Sequence, residues 1–327
     1  MTHLNAAADP SRRRRTSAPA AGSRAPRARL AVLAGGLAGT LALAGCGTAG
    51  ETEPAPSTVA TPLTLAAPES TEARIAAHIY AGALRDAGFK AAVAVEPGDR
   101  AGYLADVESG GVDVVVDYTG SLLTRYDAGA DATEPGDVTA ALREALPEGT
   151  ELLDPAEADR APVLVTTRAR SVGDEIDALS DLGEVCSGLT FAGPSAFAGE
   201  ERGLSLLAEE LECTPGTYAS KEDPAEILDD LLTDSAQIAV LPRTYPGIGR
   251  NGLVALEDSG QFFRAQQVAT LVHAETVPDE ARDALGRVSN DLTTEEMLRL
   301  NGQTVGDAPL TPRQAAETWL AEHGFGS

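Results

Sequence analysis

The sequence predicts an α/β fold, with helices laid over both faces of mainly parallel sheets. Three observations carry that prediction. Short apolar runs recur along the chain, and Val112-Asp113-Val114-Val115-Val116 is the strongest of them; runs this continuous suit strands buried on both faces. Between the runs lie segments whose apolar residues are spaced for one helical face. The 327 residues also suffice for two lobes of ordinary domain size with a ligand cleft between them.

Pro62-Leu63-Thr64-Leu65-Ala66-Ala67 reads as the first strand. Ser70 can cap the helix that follows, with Glu72 in its first turn, where a carboxylate suits the positive end of the helix. Ile75, Ala76, Ile79, Tyr80, Ala83 and Leu84 make its apolar face, and Gly88 ends it. Residues 91–95 form a second strand, 99–109 a helix and 112–116 a third strand. Asp117-Tyr118-Thr119-Gly120-Ser121 then lies just past a strand's carboxyl end, the place where open α/β sheets hold their ligands. Further on, residues 163–166, 189–192 and 238–241 read as strands, and 201–211 and 224–232 as helices. After 253–256 comes a last strand over 267–272, then helices over 279–292, 294–301 and 312–323. No repeat of solenoid period occurs.

Apolar residues make up 43% of the chain and aromatic residues only 4%, so the core is built mainly of Ala, Val, Leu and Ile. The formal net charge is −25. Seven Arg and one Asp lie in residues 1–45, which leaves 18 basic against 49 acidic residues for the remainder. A body this acidic excludes nucleic acid as a partner, because phosphate binding needs a basic footprint. It also repels anionic lipid headgroups, and its field favours cationic solutes. A solvated acidic face that merely keeps the protein soluble accounts for the same charge.

The N-terminus reads as an address. Arg12, Arg13, Arg14 and Arg15 with Arg24, Arg27 and Arg29 precede an apolar run over 30–43, and Leu43-Ala44-Gly45-Cys46 follows. A basic start, a short apolar stretch and a small-residue cleavage site make an export signal, and the run is short for a membrane span. Leu-Ala-Gly-Cys resembles the lipobox of bacterial lipoproteins. That resemblance implies a signal peptide over 1–45 and a lipid on Cys46, which anchors the protein to the cell membrane. Residues 46–60 are small, polar and Pro-containing, a tether unable to form a core.

Two further cysteines, Cys186 and Cys213, belong to an exported chain and are expected to be bridged. Closing a loop of this size stabilises by roughly 3 kcal/mol. His78, His273 and His323 stand in no ligand spacing with a cysteine, so no metal is expected. Walker, dinucleotide-binding and His-Glu-x-x-His patterns are absent, so no cofactor is expected. Gly193-Pro194-Ser195-Ala196-Phe197 lacks the second glycine of a nucleophile elbow. The chain is therefore expected not to be an enzyme, with an exported hydrolase using Asp or Glu as the reading from a different class.

Several segments in order resemble the substrate-binding proteins of glycine betaine/choline/proline-betaine ABC importers. They are Pro68-Glu69-Ser70-Thr71-Glu72-Ala73 with the helix through Tyr80, the strand ending in Asp117-Tyr118-Thr119-Gly120-Ser121, Leu179-Ser180-Asp181-Leu182, Leu253-Val254-Ala255-Leu256-Glu257-Asp258, and Leu292-Thr293-Thr294 with Leu300-Asn301. The resemblance implies a two-lobed periplasmic-binding-protein fold, type II-like, with the ligand cleft between lobes. Lobe one is then 61–160 plus 266–327, and lobe two is 161–265. It further implies an extracytoplasmic binding protein that hands a small solute, a quaternary ammonium osmoprotectant, to an ABC permease and its ATPase. A binding protein for another solute, or a lipoprotein acting as sensor or partner, are the other readings of the same fold.

A quaternary ammonium offers no N–H, so aromatic faces hold it, at ~0.5–2 kcal/mol each. By the resemblance Tyr118 stands where the family has a cage tyrosine, with Asp117 adding charge and Thr119 a hydroxyl. Packing alone is the other use of such a tyrosine. Ser70 and Thr71 lie at a helix N-terminus, which favours an anion and equally suits plain capping. The sequence also departs from the family. Pro68 replaces a lysine, the crossover tyrosine falls on Ala161 or Pro162, and a second-lobe aromatic falls near Pro242, with Tyr245 three residues on. The family's second-lobe arginine has only the shifted Arg202 for a counterpart. Tyr245, Tyr103 and Tyr218 are the candidate replacements.

Overall fold

The computed structural model describes residues 62–199 and 201–326. The export signal, the tether and Cys46 lie outside the described residues.

The first lobe begins with β1 (Leu63–Ala66), followed by α1 (Thr71–Asp86). Ser70 caps α1 as its sequence suggests, its Oγ accepting from the Ala73 N–H at 3.2 Å. Next come β2 (Ala91–Val93), α2 (Arg100–Ser109), β3 (Val114–Tyr118), α3 (Thr119–Tyr126), α4 (Pro135–Ala145) and β4 (Thr150–Leu152). The chain then crosses to the second lobe. There it forms β5 (Pro162–Thr166), α5 (Arg168–Asp174), β6 (Thr190–Gly193), α6 (Ser195–Gly199), α7 (Leu206–Glu210) and β7 (Thr217–Ser220). It continues through α8 (Pro224–Leu232), β8 (Ile238–Pro242), α9 (Gly247–Arg250) and β9 (Val254–Ala255). A second crossing returns it to the first lobe for β10 (Val268–His273), α10 (Asp279–Asp291), α11 (Thr294–Gln303) and α12 (Pro312–Glu322).

Each lobe holds one five-stranded sheet, ordered β2-β1-β3-β10-β4 in the first and β7-β6-β8-β5-β9 in the second. The sheets are mixed rather than parallel, which corrects the sequence reading. β10 runs antiparallel to β3 and β4, and β5 runs antiparallel to β8 and β9. The reason is topological. β5 and β10 each arrive from the opposite lobe, so they enter their sheets against the direction set by the βαβ units.

Apolar residues cover both faces of each sheet. In lobe one, Ile75, Ile79 and Leu84 of α1 and Trp319 of α12 form one core, and Leu104, Leu122, Leu123 and Leu142 form the other. Lobe two places Phe191, Leu207 and Val240 on one face and Ile227, Leu231 and Leu241 on the other. Cys186 and Cys213 are bonded to each other within the first of these, with their Cα atoms 5.2 Å apart.

The two crossings run side by side. Asp159 bridges Gln267 in antiparallel fashion, and its Oδ1 accepts from the N–H groups of Ala161 and Gln266 at 2.8 Å each. The Arg160 N–H donates to the Gln266 carbonyl at 3.1 Å. Gln266 in turn accepts from the Ser121 N–H and hydroxyl, which ties the paired crossings to the start of α3.

Candidate functional site

Loops that leave the carboxyl ends of strands in both sheets wall a cavity of about 450 Å³ between the lobes. Ser70, Thr71 and Glu72 follow β1, Glu222 and Asp223 follow β7, and Thr244 and Tyr245 follow β8. Asn301 from α11 and Arg160 from the first crossing complete the polar lining. This is where α/β sheets present ligand sites, and the volume falls in the range of small-molecule pockets.

Glu72 is the centre of the polar network. Its Oε1 accepts from the Tyr118 hydroxyl at 3.1 Å and lies 3.3 Å from Arg160 Nε. Its Oε2 accepts from the Thr244 hydroxyl at 2.5 Å and from Asn301 Nδ2 at 2.6 Å. Asn301 Nδ2 also donates to the Thr244 carbonyl at 3.1 Å. A carboxylate buried in lobe one is thus bonded directly to a threonine of lobe two. A buried charge needs this many partners to offset its lost hydration. Arg250 donating to the Gly302 carbonyl at 2.7 Å adds a second strap across the same gap.

Arg160 lies with its guanidinium 4.8 Å from the centre of the Tyr118 ring, within cation–π range. Burial, then the charge of Glu72, pushes the Tyr118 hydroxyl well above its ordinary pKa, so it stays a neutral donor. Burial opposes the charge on Arg160, but Tyr118 and Glu72 outweigh it and its pKa is raised.

The structure places Asp117, Tyr118 and Thr119 behind the cavity wall, outside the residues that line it. Asp117 is 1% exposed. It accepts two bonds from Arg100, both at 2.9 Å, one from the Tyr103 hydroxyl at 2.8 Å and one from the Tyr118 N–H at 2.9 Å. Thr119 Oγ1 accepts from the Gln267 N–H at 3.1 Å and donates to the Ala265 carbonyl at 3.4 Å, holding the second crossing. The physical reason is β10. It pairs with β3 as far as Val268 opposite Tyr118, so the strand runs two residues past Val116 and draws these side chains into the lobe.

Ser70, Thr71 and Tyr245 do line the cavity. Tyr245 is half-buried, and its hydroxyl is raised above its usual range by burial and then by the charge of Asp223. Gly247 makes room for this ring, since a Cβ there would lie 2.4 Å from Tyr245 Cε1. Tyr103 is buried on Asp117, and Tyr218 stacks on Phe197 and donates to the Pro194 carbonyl at 2.7 Å. Neither lines the cavity.

Sequence reading missed Arg160, Thr244, Asn301, Glu222 and Asp223. The signal for Asn301 was present, a lone amide among the apolar positions of a predicted helix. Glu222 accepts from the Ser195 hydroxyl at 2.5 Å and its N–H at 3.2 Å, which holds its carboxyl below the ordinary range. Asp223 caps α8, accepting from the Ala225 N–H at 2.9 Å. Elsewhere Glu296, Glu322 and His323 lie close together, but Arg299 already bonds both carboxylates, at 2.8 and 2.7 Å.

The model of the substrate-binding domain of ABC-type glycine betaine transport systems matches residues 61–322. Among curated proteins no relative matches the chain. Solved structures share the fold at low identity. A glycine betaine/carnitine/choline ABC transporter protein is 19% identical, with a TM-score of 0.70 over 80% of this chain and 99% of that one. YehZ from Escherichia coli, in its apo form, is 17% identical, with a TM-score of 0.66 over 82% and 100%. Lactococcal OpuAC, closed on glycine betaine, is 16% identical, with a TM-score of 0.55 over 80% and 96%. With its two mixed sheets, its inter-lobe cavity and a match over most of its length, the chain belongs to the family of substrate-binding domains of ABC-type glycine betaine transport systems, which are binding proteins and not enzymes.

Proposed function

We propose that this protein is the solute receptor of an ABC importer and that it captures a quaternary ammonium osmoprotectant of the glycine betaine class in the inter-lobe cavity. The observation that carries this reading is the cavity itself, about 450 Å³ and walled by strand-end loops of both lobes. A ligand held by both walls favours the closed form by its differential affinity, and that closed form is what a permease recognises. Ser70, Thr71 and Tyr245 are the solute contacts among the residues singled out by sequence. Asp117, Tyr118 and Thr119 support them from behind. The lobe boundaries near 160/161 and 265/266 fall within the two crossings, which supports them as the hinge.

Delivery of a small solute to permease and ATPase subunits, outside the cytoplasm, goes with the family. Among the described residues no helix is long and apolar enough to cross a membrane. The Leu43-Ala44-Gly45-Cys46 sequence supports a lipid on Cys46 as the means of attachment. Cys46→Ser is expected to move the protein from the membrane fraction to the soluble fraction; retention of the variant on membranes would remove the anchor.

The test of the receptor reading is a thermal-shift screen against glycine betaine, choline, carnitine, proline and polyamines. A ligand that binds only the folded state at 100 times its Kd stabilises by about 2.7 kcal/mol. A clear rise of Tm with a betaine is expected, and a flat response to every solute would defeat the reading.

A further inference from the structure

Resting on the solute-receptor reading, we infer that the last turn of α11 is a seat for lobe two, and that Arg250 docked on it sets the balance between open and closed forms. Arg250 is then a positioning residue, which tunes affinity for the solute without lining the cavity that holds it.

The first ground is what α11 lacks. Glu295 and Glu296 stand in its first turn, and no basic residue stands in its last. A helix leaves its final carbonyls without intrahelical partners and gathers negative charge there. Local bonds cover part of that end. The Thr304 N–H and hydroxyl donate to the Asn301 carbonyl at 3.1 and 2.9 Å, and the Leu310 N–H donates to the Gln303 carbonyl at 2.9 Å. The Gly302 carbonyl between them is taken by Arg250, at 2.7 Å. Lobe two thus supplies the cation that this helix of lobe one does not carry.

The second ground is that Arg250 is committed to this contact. Among the described residues its guanidinium makes no other hydrogen bond and no ion pair. A hydrogen bond from an ionised donor is among the stronger kinds. Gly302 lets the lobes come this close. A Cβ built there would lie 3.4 Å from Arg250 Nη2 and 3.9 Å from Pro246 Cβ, both of lobe two. An alanine fits at those distances, whereas a longer side chain would stand in the joint and hold the lobes apart.

The third ground is what travels with Arg250. Thr244 and Tyr245 precede it in one short segment of lobe two, and both line the cavity. Asn301, beside Gly302 on the seat, donates to the Thr244 carbonyl at 3.1 Å. Docking of Arg250 therefore brings one cavity wall into place. The contact uses groups of the protein alone, so it favours closure equally for every solute. A receptor whose binding-competent form is only partly populated has its affinity reduced by that fraction. Arg250 raises the fraction.

Small-angle scattering and titration calorimetry of the full chain with glycine betaine test this. Arg250→Gln is expected to enlarge the ligand-free radius of gyration and to weaken glycine betaine by about three- to tenfold. Arg250→Lys, which keeps the cation, should recover most of both. Gly302→Ala should match wild type, and Gly302→Leu should act as a wedge, with a larger radius and weaker binding. Urea midpoints should stay near wild type throughout, which separates a shift in closure from a loss of fold. An Arg250→Gln variant with the wild-type radius and affinity overturns the inference and leaves the receptor reading standing. Failure of wild type to bind glycine betaine counts against that reading, while the ligand-free radii of wild type, Arg250→Gln and Gly302→Leu still decide the inference. If Arg250→Gln does not fold, Gly302→Leu beside Gly302→Ala decides.

Discussion

At Asp117 two hydrogen-bonded register positions separate a ligand group from a structural one. Its four hydrogen bonds, from Arg100, Tyr103 and Tyr118, make it an anchor for α2 and for the end of β3. Asp117→Ala is expected to cost about 2–3 kcal/mol of stability, below the full cost of breaking a buried pair because Arg100 is 40% exposed. Solute affinity should stay within a few-fold, and urea unfolding beside calorimetry would check both. Tyr245→Ala should do the opposite, lowering affinity by about 1–2 kcal/mol with little change in stability. Tyr80 gives a pH signature. Its hydroxyl is buried against Ser289 at 3.0 Å, and burial pushes its pKa up to about 12. A raised folded-state value means its contribution is intact below pH 10 and is lost as pH climbs toward 12. Unfolding midpoints at pH 9 and 11 should show that fall, and Tyr80→Phe should reduce it. The residue types needed at the site were legible, since Ser70, Thr71 and Tyr245 stand in the cavity wall. Arg160 was not, because its importance comes from a ring 42 positions away that only the fold brings under it.

Most elements were legible because their signals are local. The cap at Ser70, the apolar stripe of α1 and the Val-rich β3 each need no knowledge of the rest of the chain. The expected helix over 201–211 shows the limit. It is interrupted at Arg202 and Gly203, and regular helix resumes only in α7. Gly203 lies so close to the Phe197 carbonyl that a Cβ would meet it at 1.7 Å, a contact invisible in the pattern of apolar residues. The helices α3 and α4 were passed over because their apolar positions are few and their flanks are rich in Gly, Asp and Pro. Two predictions belong to elements. Gly247→Ala should push the Tyr245 ring out of place and weaken solute binding without unfolding α9, as titration and circular dichroism would show. Replacing Cys186 and Cys213 by Ala should cost roughly 3 kcal/mol, read from urea unfolding with and without reductant.

Across the whole molecule, the Glu72–Thr244–Asn301 cluster joins the lobes through two bonds to Thr244, one to its hydroxyl and one to its carbonyl. Three of these bonds span the gap or support one that does, so closure does not wait for a solute to supply every contact. Thr244→Val combined with Asn301→Leu is expected to favour the open form. Small-angle scattering of the ligand-free variant should show a larger radius of gyration than wild type, and an unchanged radius would assign closure to other contacts. The division into lobes follows from the family resemblance and not from the order of strands and helices alone. The antiparallel entry of β5 and β10 was not visible in the sequence, since strand direction is fixed by which lobe the chain has just left.

The place of β10 in its sheet sets a schedule for biogenesis. β3 emerges with residues 114–118, yet its neighbour on one side arrives only with residues 268–273. At ~5–20 residues per second, that leaves a Val-rich edge unpaired for on the order of ten seconds of synthesis. Lobe two, by contrast, is one continuous stretch and can mature as soon as it is made. The lobe that begins first is therefore the last to be finished, with β3 waiting for β10 to complete its pairing.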